Sequence, residues 1–305
     1  PYGIWDGFQT VVEIDNKTPT YHQLETSGKG QFYSGASSGT QGFSFPLGYE
    51  GTNFCINITA EGVQTENFNF PSYSKLHMGT VYHNGKFWSM PRGDEPGYTN
   101  IVTYGENNFD FIEVKGIDQS VRRKYTDCLA LGDKLYALPF GEDLGLTEIL
   151  ELDTNTNEYS LYPFVGQDFS KKYNAFVYLD GNIIAVPYGD EHANDSNHGL
   201  IFDTESKNSW QFDIGIYHGG KYRYRSGVAY KGCAFFFPSG TPSCPILKID
   251  KKGHILTRIY FRDFLMGRPI VWQNFLYCIA YNIKYQTHHI LKFDEHLNYS
   301  EELVV

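Results

Sequence analysis

The 305-residue sequence contains no run of 18 apolar residues, so it predicts no membrane-spanning helix. It also lacks a long basic stretch and carries a net charge of −10, so nucleic acid is not an expected partner.

Cysteine is scarce. The odd number and wide spacing of the cysteines give no disulfide framework and favour a reducing, intracellular compartment. Because the sequence opens inside a motif, we expect further residues before Pro1. Whether they include a signal peptide is left open at this point. The five cysteines are Cys55, Cys128, Cys233, Cys244 and Cys278.

The common catalytic signatures are missing as well. The sequence has no Gly-x-Ser-x-Gly, no phosphate-binding loop and no dinucleotide fingerprint. Acidic and histidine side chains crowd residues 190–198, but their spacing matches neither a zinc site nor a calcium loop. We therefore predict no cofactor, no metal ion and no identifiable catalytic residue.

What the sequence does have is a repeated Pro-x-Gly motif. Aromatic residues make up 17% of the chain and glycines number 31, which favours strands joined by turns. Each motif follows an apolar run and recurs every 42 to 51 residues, the period of β-propellers with one four-stranded blade per repeat. The motif begins at Pro1, Pro46, Pro91, Pro139, Pro187 and Pro238, with a degenerate copy at Ala280.

Each repeat predicts four strands, a to d. A two-residue turn such as Asp180-Gly181 joins strands a and b, and strand b ends at Pro-x-Gly. Strand c usually ends in an aspartate, such as Asp203, and strand d often carries an aromatic residue, such as Trp210. The proline caps a strand where no ladder donor is needed, and the glycine suits the turn, so the motif itself is structural.

The repeat resembles those of the kelch-like and galactose-oxidase-like propellers. The stretches that carry the resemblance are "DGNIIAVPYG…LIFDTESKNSW", "ILELDTNTNEY" and "VVEIDNKTPTY". Pro-x-Gly stands where that family has Gly-Gly. The resemblance covers the whole chain and implies a propeller; the copper ligands of galactose oxidase have no counterparts here, so that activity is not implied.

The predicted fold class is therefore all-β, a single β-propeller domain over residues 1–305. Seven repeats are visible, but the first supplies only strands c and d, so a seven-bladed ring with one incomplete blade is expected. Six blades with an N-terminal extension is the alternative. The predicted blades are 1–26 (partial), 29–70, 74–117, 122–166, 171–215, 221–261 and 264–305.

One face of the propeller is predicted to be functional. The b–c loops there carry acids, the d–a loops carry cations, and a mostly aromatic position opens strand a fourteen residues before each motif. In one interpretation the charges pair across loops and the tyrosines pack between blades. In the other, this face binds a polar ligand or a peptide. The predicted ligand-binding residues are Tyr125, Tyr173, Tyr224, Arg123, Lys124, Lys172, Arg223, Glu142 and Asp190.

Three functions remain open at the level of sequence. The first is a non-enzymatic recognition or scaffolding propeller that binds a protein or polar ligand, because propellers host many binding functions. The second is a carbohydrate-binding propeller, such as a lectin or a surface or viral adhesin, which the aromatic residues and the acidity suggest. The third is a carbohydrate-active enzyme with carboxylates at the channel mouth. The expected partner is thus a protein or a glycan, and enzymatic activity is left undecided.

Overall fold

A computed structural model describes most of the chain. The described residues are 10–15, 18–23, 35–45, 54–67, 77, 79–93, 97–141, 146–164, 172–188, 197–215, 223–239 and 244–304. Across these ranges the secondary structure consists of strands and turns, without helices. In this part of the chain, accordingly, no helix is long and apolar enough to cross a membrane.

Six antiparallel sheets form the blades of a β-propeller, and in each sheet the strands follow one another in chain order. The chain divides into two compact units, Pro1–Glu142 with Ile149–Leu161, and Asp143–Glu148 with Tyr162–Val305. Nearly all of sheets 1 to 3 belongs to the first unit. Sheet 1 contains β3 (Ala36–Ser37), β4 (Gly42–Ser44), β5 (Phe54–Thr59) and β6 (Gly62–Asn67). Sheet 2 contains β7 (Val81–His83), β8 (Lys86–Ser89), β9 (Asn100–Gly105) and β10 (Asn108–Glu113). Sheet 3 contains β11 (Leu129–Leu131), β12 (Lys134–Ala137), β13 (Glu148–Asp153) and β14 (Tyr159–Pro163).

The second unit contains sheets 4 to 6. Sheet 4 contains β15 (Tyr173–Leu179), β16 (Asn182–Pro187), β17 (His198–Asp203) and β18 (Ser209–Asp213). Sheet 5 contains β19 (Tyr224–Tyr230), β20 (Cys233–Pro238), β21 (Pro245–Ile249) and β22 (Ile255–Tyr260). Sheet 6 contains β23 (Phe264–Met266), β24 (Ile270–Trp272), β25 (Phe275–Asn282), β26 (Thr287–Phe293) and β27 (Tyr299–Val304). Both β23 and β24 pair with β25, so they are two pieces of one interrupted strand a.

A separate two-stranded sheet precedes these six. It pairs β1 (Thr10–Asp15) with β2 (Thr18–Gln23), the residues predicted as strands c and d of the incomplete first repeat. The predicted all-β propeller is confirmed. Among the described residues six blades are complete, which matches the alternative of six rather than the first choice of seven. The single domain and the predicted blade limits stay predictions.

The predicted two-residue a–b turns are present in sheets 2 to 5, whereas four residues, Ser38 to Gln41, join strands a and b of sheet 1. In sheets 4 and 5 both central residues take positive φ, at Asp180 (48°) and Gly181 (90°), and at Lys231 (46°) and Gly232 (71°). Such turns match the right-handed twist of the flanking strands, which is why glycine recurs there. The short turn sets each strand b directly against strand a and brings the Pro-x-Gly motif back beside the start of the repeat.

The recurrent aspartate at the end of strand c holds the c–d turn. The Oδ1 atom of Asp203 accepts hydrogen bonds from the backbone N–H groups of Glu205 (2.9 Å) and Ser206 (2.8 Å). The next residue, Thr204, donates its hydroxyl to the carbonyl of Gly181 at 2.8 Å, which ties the c–d turn to the a–b turn. These backbone donors lower the pKa of Asp203. The Asp–Thr pair of the kelch-like resemblance is thus a turn element here.

Each unit has apolar packing between facing sheets. In the first unit, the Phe43 ring of sheet 1 stacks on Tyr104 of sheet 2, with centroids 4.2 Å apart. In the second, Val177 and Ile184 of sheet 4 share a buried cluster with Phe236 of sheet 5. In sheets 4 and 5 both faces of strand b are covered, and the strands are accordingly apolar from Ile183 to Pro187 and from Cys233 to Pro238.

Candidate recognition site

The Pro-x-Gly motifs bring the predicted site residues to one end of each sheet. Strand a begins where strand b ends, because Tyr173 pairs with Pro187 and Tyr224 pairs with Pro238. Tyr125 makes the equivalent bridge to Pro139. The cation that precedes each tyrosine therefore lies beside a motif, at the end that the b–c and d–a connections share.

In the first unit, backbone hydrogen bonds run from one motif to the next through this cationic segment. The N–H of Lys124 donates to the carbonyl of Arg92 at 2.8 Å, and the N–H of Phe140 donates to the carbonyl of Lys124 at 2.8 Å. The middle residue of the motif thus serves as a backbone donor or acceptor for the segment beside it. We call these linked backbones the belt, here Arg92, Lys124 and Phe140.

In the second unit the belt repeats. The N–H of Tyr188 donates to the carbonyl of Lys172 at 2.8 Å, and the carbonyl of Tyr188 accepts from the N–H of Arg223 at 2.9 Å. The N–H of Ser239 then donates to the carbonyl of Arg223 at 3.0 Å. The belt residues of this unit are Lys172, Tyr188, Arg223 and Ser239. The motif therefore links neighbouring blades, a role that the sequence did not reveal.

The three predicted tyrosines are fully buried. Tyr125, Tyr173 and Tyr224 have no exposed surface. The hydroxyl of Tyr224 donates to the carbonyl of Pro245 at 2.8 Å, and the ring of Tyr173 meets Phe164 edge-on with centroids 6.0 Å apart. Burial raises the pKa of Tyr173 and of Tyr224. This burial is what the packing interpretation expects, and a direct ligand contact by these rings stays a prediction.

The predicted cations differ in exposure. Lys124 and Lys172 are fully buried, Arg223 is nearly so, and Arg123 is half-buried. Arg123 has an unusual backbone, with φ at 52°. Its N–H donates to Gly93 at 2.6 Å, and its carbonyl accepts from Gly141 at 2.9 Å, so motif glycines hold it on both sides. Arg123 is thus the predicted cation that is best placed to meet a ligand.

Buried charge shapes the chemistry of the site in the first unit. The Nζ of Lys124 donates to the carbonyl of Val121 at 2.7 Å. Burial lowers the pKa of Lys124 to about 8, with partial compensation from the negative charge of Asp118. Arg92, which belongs to the same belt, is also buried, whereas Arg122 is exposed.

The second unit holds its arginines differently. Burial lowers the pKa of Arg223, which donates from Nη1 to the Oδ1 of Asn197 at 3.2 Å. The guanidinium of Arg225 lies over the ring of Tyr188, 5.6 Å from its centroid, in a cation–π contact. Both contacts fix the cationic end of strand a against the b–c side of sheet 4.

Two predicted site residues, Glu142 and Asp190, lie outside the described residues. Sequence reasoning placed His77 in the register of these tyrosines but missed Arg92 and Tyr188 at this end. His77 takes the tyrosine position of sheet 2 and is buried, with Nδ1 3.2 Å from the carbonyl of Met90 and Nε2 2.8 Å from the hydroxyl of Tyr98. Burial lowers the pKa of His77 to about 3, so it is neutral at physiological pH. The variable middle position of the motif was the signal that would have found Arg92 and Tyr188.

Comparison with known proteins places the fold but not a family. No family model and no curated sequence matches the chain. A solved structure of a catalytically inactive virginiamycin B lyase from Staphylococcus aureus with quinupristin is 13% identical, with a TM-score of 0.68; the match covers 89% of this chain and 85% of the lyase. YCF48 bound to D1 peptide is 9% identical, with a TM-score of 0.61, over 99% of this chain and 87% of YCF48. The kelch-like resemblance stays a prediction.

Proposed function

We propose that the protein is a non-enzymatic recognition propeller that binds an acidic segment of a partner protein at the end carrying the b–c and d–a connections. The main observation behind this proposal is a cation that recurs directly before the buried tyrosine at the start of strand a. A cation precedes a buried tyrosine in each unit, Lys124 in the first and Lys172 and Arg223 in the second, and belt hydrogen bonds fix the backbone of each. A binding surface with a fixed backbone loses little conformational freedom when a ligand arrives.

The charge distribution supports an anionic ligand. In the first unit Arg122 and Arg123 reach solvent, while Lys124 and Arg92 are buried. Guanidinium groups suit carboxylates because they donate paired hydrogen bonds in a plane. The buried cations add a field that water screens less than it screens surface charges. A carboxylate-rich peptide matches both features.

A structural neighbour is compatible with this type of partner. YCF48, which shares the fold at 9% identity, is described with a bound D1 peptide. The likeness is one of fold, so it supports the choice of a peptide as the first ligand class to test and says nothing about the sequence recognised.

The test is a fluorescence anisotropy titration with two labelled peptides of equal length, one rich in Asp and Glu and one rich in Lys. We expect the acidic peptide to bind and to lose affinity as salt rises. Arg123→Gln should weaken binding at least tenfold, since a hydrogen bond to a charged group contributes about 1.5–3 kcal/mol and about 1.4 kcal/mol is tenfold.

The matched control is Lys252→Gln, which removes an exposed lysine from the c–d turn of sheet 5 and should leave affinity unchanged. Equal binding of the acidic peptide by wild type and Arg123→Gln would contradict the proposed site. Binding of neutral oligosaccharides, with no response to either peptide, would instead favour the carbohydrate-binding alternative.

A further inference from the structure

One side-chain position behaves differently in the last blade. The residue directly before each motif closes strand b, and in five blades it is buried. The exposed fractions are 1% for Phe45, 3% for Met90, 0% for Leu138, 0% for Val186, 0% for Phe237 and 59% for Ile279. The side chain at this position is apolar in every blade. The exposure of Ile279 is therefore due to what packs around it and not to its residue type.

In the second unit the covering element is visible at the other two positions. Val186 of sheet 4 shares a buried cluster with Ala234 and Phe236, which lie on strand b of sheet 5. Phe237 of sheet 5 packs into the cluster formed by sheet 6, and its ring meets Phe293 edge-on at 5.5 Å. The position is therefore covered by the inner strands of a facing sheet.

Ile279 is part of a continuous apolar surface on the side of sheet 6 that faces away from sheet 5. Residues directly opposite in an antiparallel pair share a face. Ile279 lies opposite Ile290, Ile270 lies opposite Tyr277, and Trp272 lies in the same row of β24 as Ile270. We call these five residues the outward face. Ile270 is 59% exposed and Trp272 is 56% exposed.

One charged side chain shares this surface, because the Nζ of Lys292 lies over the Tyr277 ring, 5.9 Å from its centroid. The Nζ of Lys292, which lies opposite Tyr277, sits 4.2 Å from the centroid of the Phe275 ring. The same ammonium lies 3.6 Å from the Oε1 of Glu302. The ring of Trp272 meets Tyr277 edge-on, with centroids 5.4 Å apart, so the aromatic side chains form part of one packed layer.

The exposed apolar area of the outward face is comparable to that of known interaction patches. The exposed halves of Ile270, Trp272 and Ile279 together amount to roughly 300 Å², if each isoleucine is given the lower end and Trp272 the upper end of the 150–250 Å² of an aromatic side chain. This is at the lower end of the range of about 300–600 Å² for the largest apolar patch on a typical monomer, and such patches are often functional. A sheet face of this kind is also flat, which suits another sheet better than a helix or a compact loop.

We propose that the outward face of sheet 6 binds a β-hairpin from a partner protein, one that presents aliphatic or aromatic residues at alternate positions. The choice of a hairpin follows from the two covered positions in the same unit, where neighbouring antiparallel strands of a facing sheet supply the cover. Strands a and b of sheet 5 do so at Val186, and strands b and c of sheet 6 do so at Phe237. In sheet 5 the strand that covers Val186 does so with Ala234 and Phe236, two residues apart on one face. The partner hairpin needs the same period of two.

The probe is a backbone-cyclised peptide with the sequence of residues 173–188, which contains a complete a–b hairpin and its Asp180-Gly181 turn. One of its faces carries Phe176, Ile183 and Ala185 at the required period. We expect the labelled peptide to bind the full chain with a dissociation constant in the micromolar range. Ile279→Asp should weaken binding at least tenfold, and Ile279→Thr, a milder change, should weaken it less.

The control variant is Leu256→Asp, which places the same charge at a residue that is 51% exposed on the outer strand of sheet 5. Its affinity should equal that of wild type, and circular dichroism should show all three variants folded. Absence of binding by wild type, or equal binding by wild type and both Ile279 variants, would overturn the proposal. So would a dimer in analytical ultracentrifugation that Ile279→Asp dissociates while the peptide fails to bind, because the occupant would then be a second copy.

Discussion

Sheets 5 and 6 are built from the same repeat and differ in what covers them. In β20 the residues Ala234 to Phe237 are fully buried on both faces, whereas in β25 burial alternates, with Cys278 at 2% and Ile279 at 59% exposed. β20 is apolar throughout and β25 is apolar from Phe275 to Tyr281, which is the pattern of a strand covered on two sides. The repeat therefore specifies the blade, and the neighbouring sheet decides whether a given face is core or surface.

The largest expected difference between the two sheets lies at the residue before the motif. Phe237→Ala should lower the free energy of unfolding by about 3–5 kcal/mol, because it removes a fully buried ring from the contact between sheets 5 and 6. Ile279→Ala should change it by about 0.5 kcal/mol or less, as an exposed position does. Urea unfolding followed by fluorescence measures both. Equal losses would mean that Ile279 is covered in solution.

A second prediction concerns pH and the buried position that opens each blade. His77 occupies in sheet 2 the register of Tyr224 in sheet 5, and burial lowers its pKa to about 3. The unfolded chain takes up a proton near pH 6.5 and the folded state does not, so stability should fall as pH drops from about 6.5 towards 3.

The loss from His77 should amount to a few kcal/mol over that window. His77→Gln keeps one hydrogen-bonding group but cannot titrate, so its stability should depend less on pH across the same range. Thermal melts of both proteins between pH 4 and pH 7 test this. Parallel curves would show that folding does not lower the pKa of His77 and would contradict this account.

The anchor at the start of strand a offers a smaller test. Tyr224→Phe keeps the ring but removes the hydroxyl that donates to Pro245, leaving a buried carbonyl without that donor. We expect a loss of about 1–2 kcal/mol, close to the cost of an unsatisfied buried group. Urea unfolding gives the value, and an unchanged midpoint would mean that another donor replaces the hydroxyl.

The smallest predicted effect is one that sheets 5 and 6 should share. Asp250 and Asp294 end strand c in the two sheets, and the Oδ1 of each accepts two backbone N–H groups of the following turn. Replacing either with Ala should lower the free energy of unfolding by about 1 kcal/mol, and Asn should restore part of it. Unequal losses, measured by urea unfolding, would show that sheet 6 differs from sheet 5 in more than its outward face.

The sequence predicted the elements that depend on local chemistry. The Asp-Gly and Lys-Gly pairs need positive φ, and the aspartates need backbone donors in the next turn; both requirements can be read from neighbouring residues. The period of the Pro-x-Gly motif then predicted the propeller. The number of blades was harder to predict, because the repeat that contains β1 and β2 supplies only strands c and d. Counting that repeat as a blade gives seven, and leaving it out gives six.

The candidate site was less predictable because its contacts join residues far apart in the chain. The fourteen-residue spacing placed Tyr224 beside Pro238, and this pairing is present. The spacing could not show that the ring is buried, nor that the backbone of Tyr188 links Lys172 to Arg223. Those facts depend on the blade that packs alongside, as the exposure of Ile279 does.

The most direct test of the uncovered blade is hydroxyl-radical footprinting of the tryptophans, read out by mass spectrometry. Trp272 on the outward face is 56% exposed, Trp210 in sheet 4 is 40% exposed, and Trp88 in sheet 2 is 1% exposed. We expect Trp272 and Trp210 to oxidise rapidly and Trp88 slowly, and the cyclised hairpin to protect Trp272 without protecting Trp210. Oxidation of Trp272 as slow as that of Trp88 in the protein alone would contradict an uncovered sixth blade.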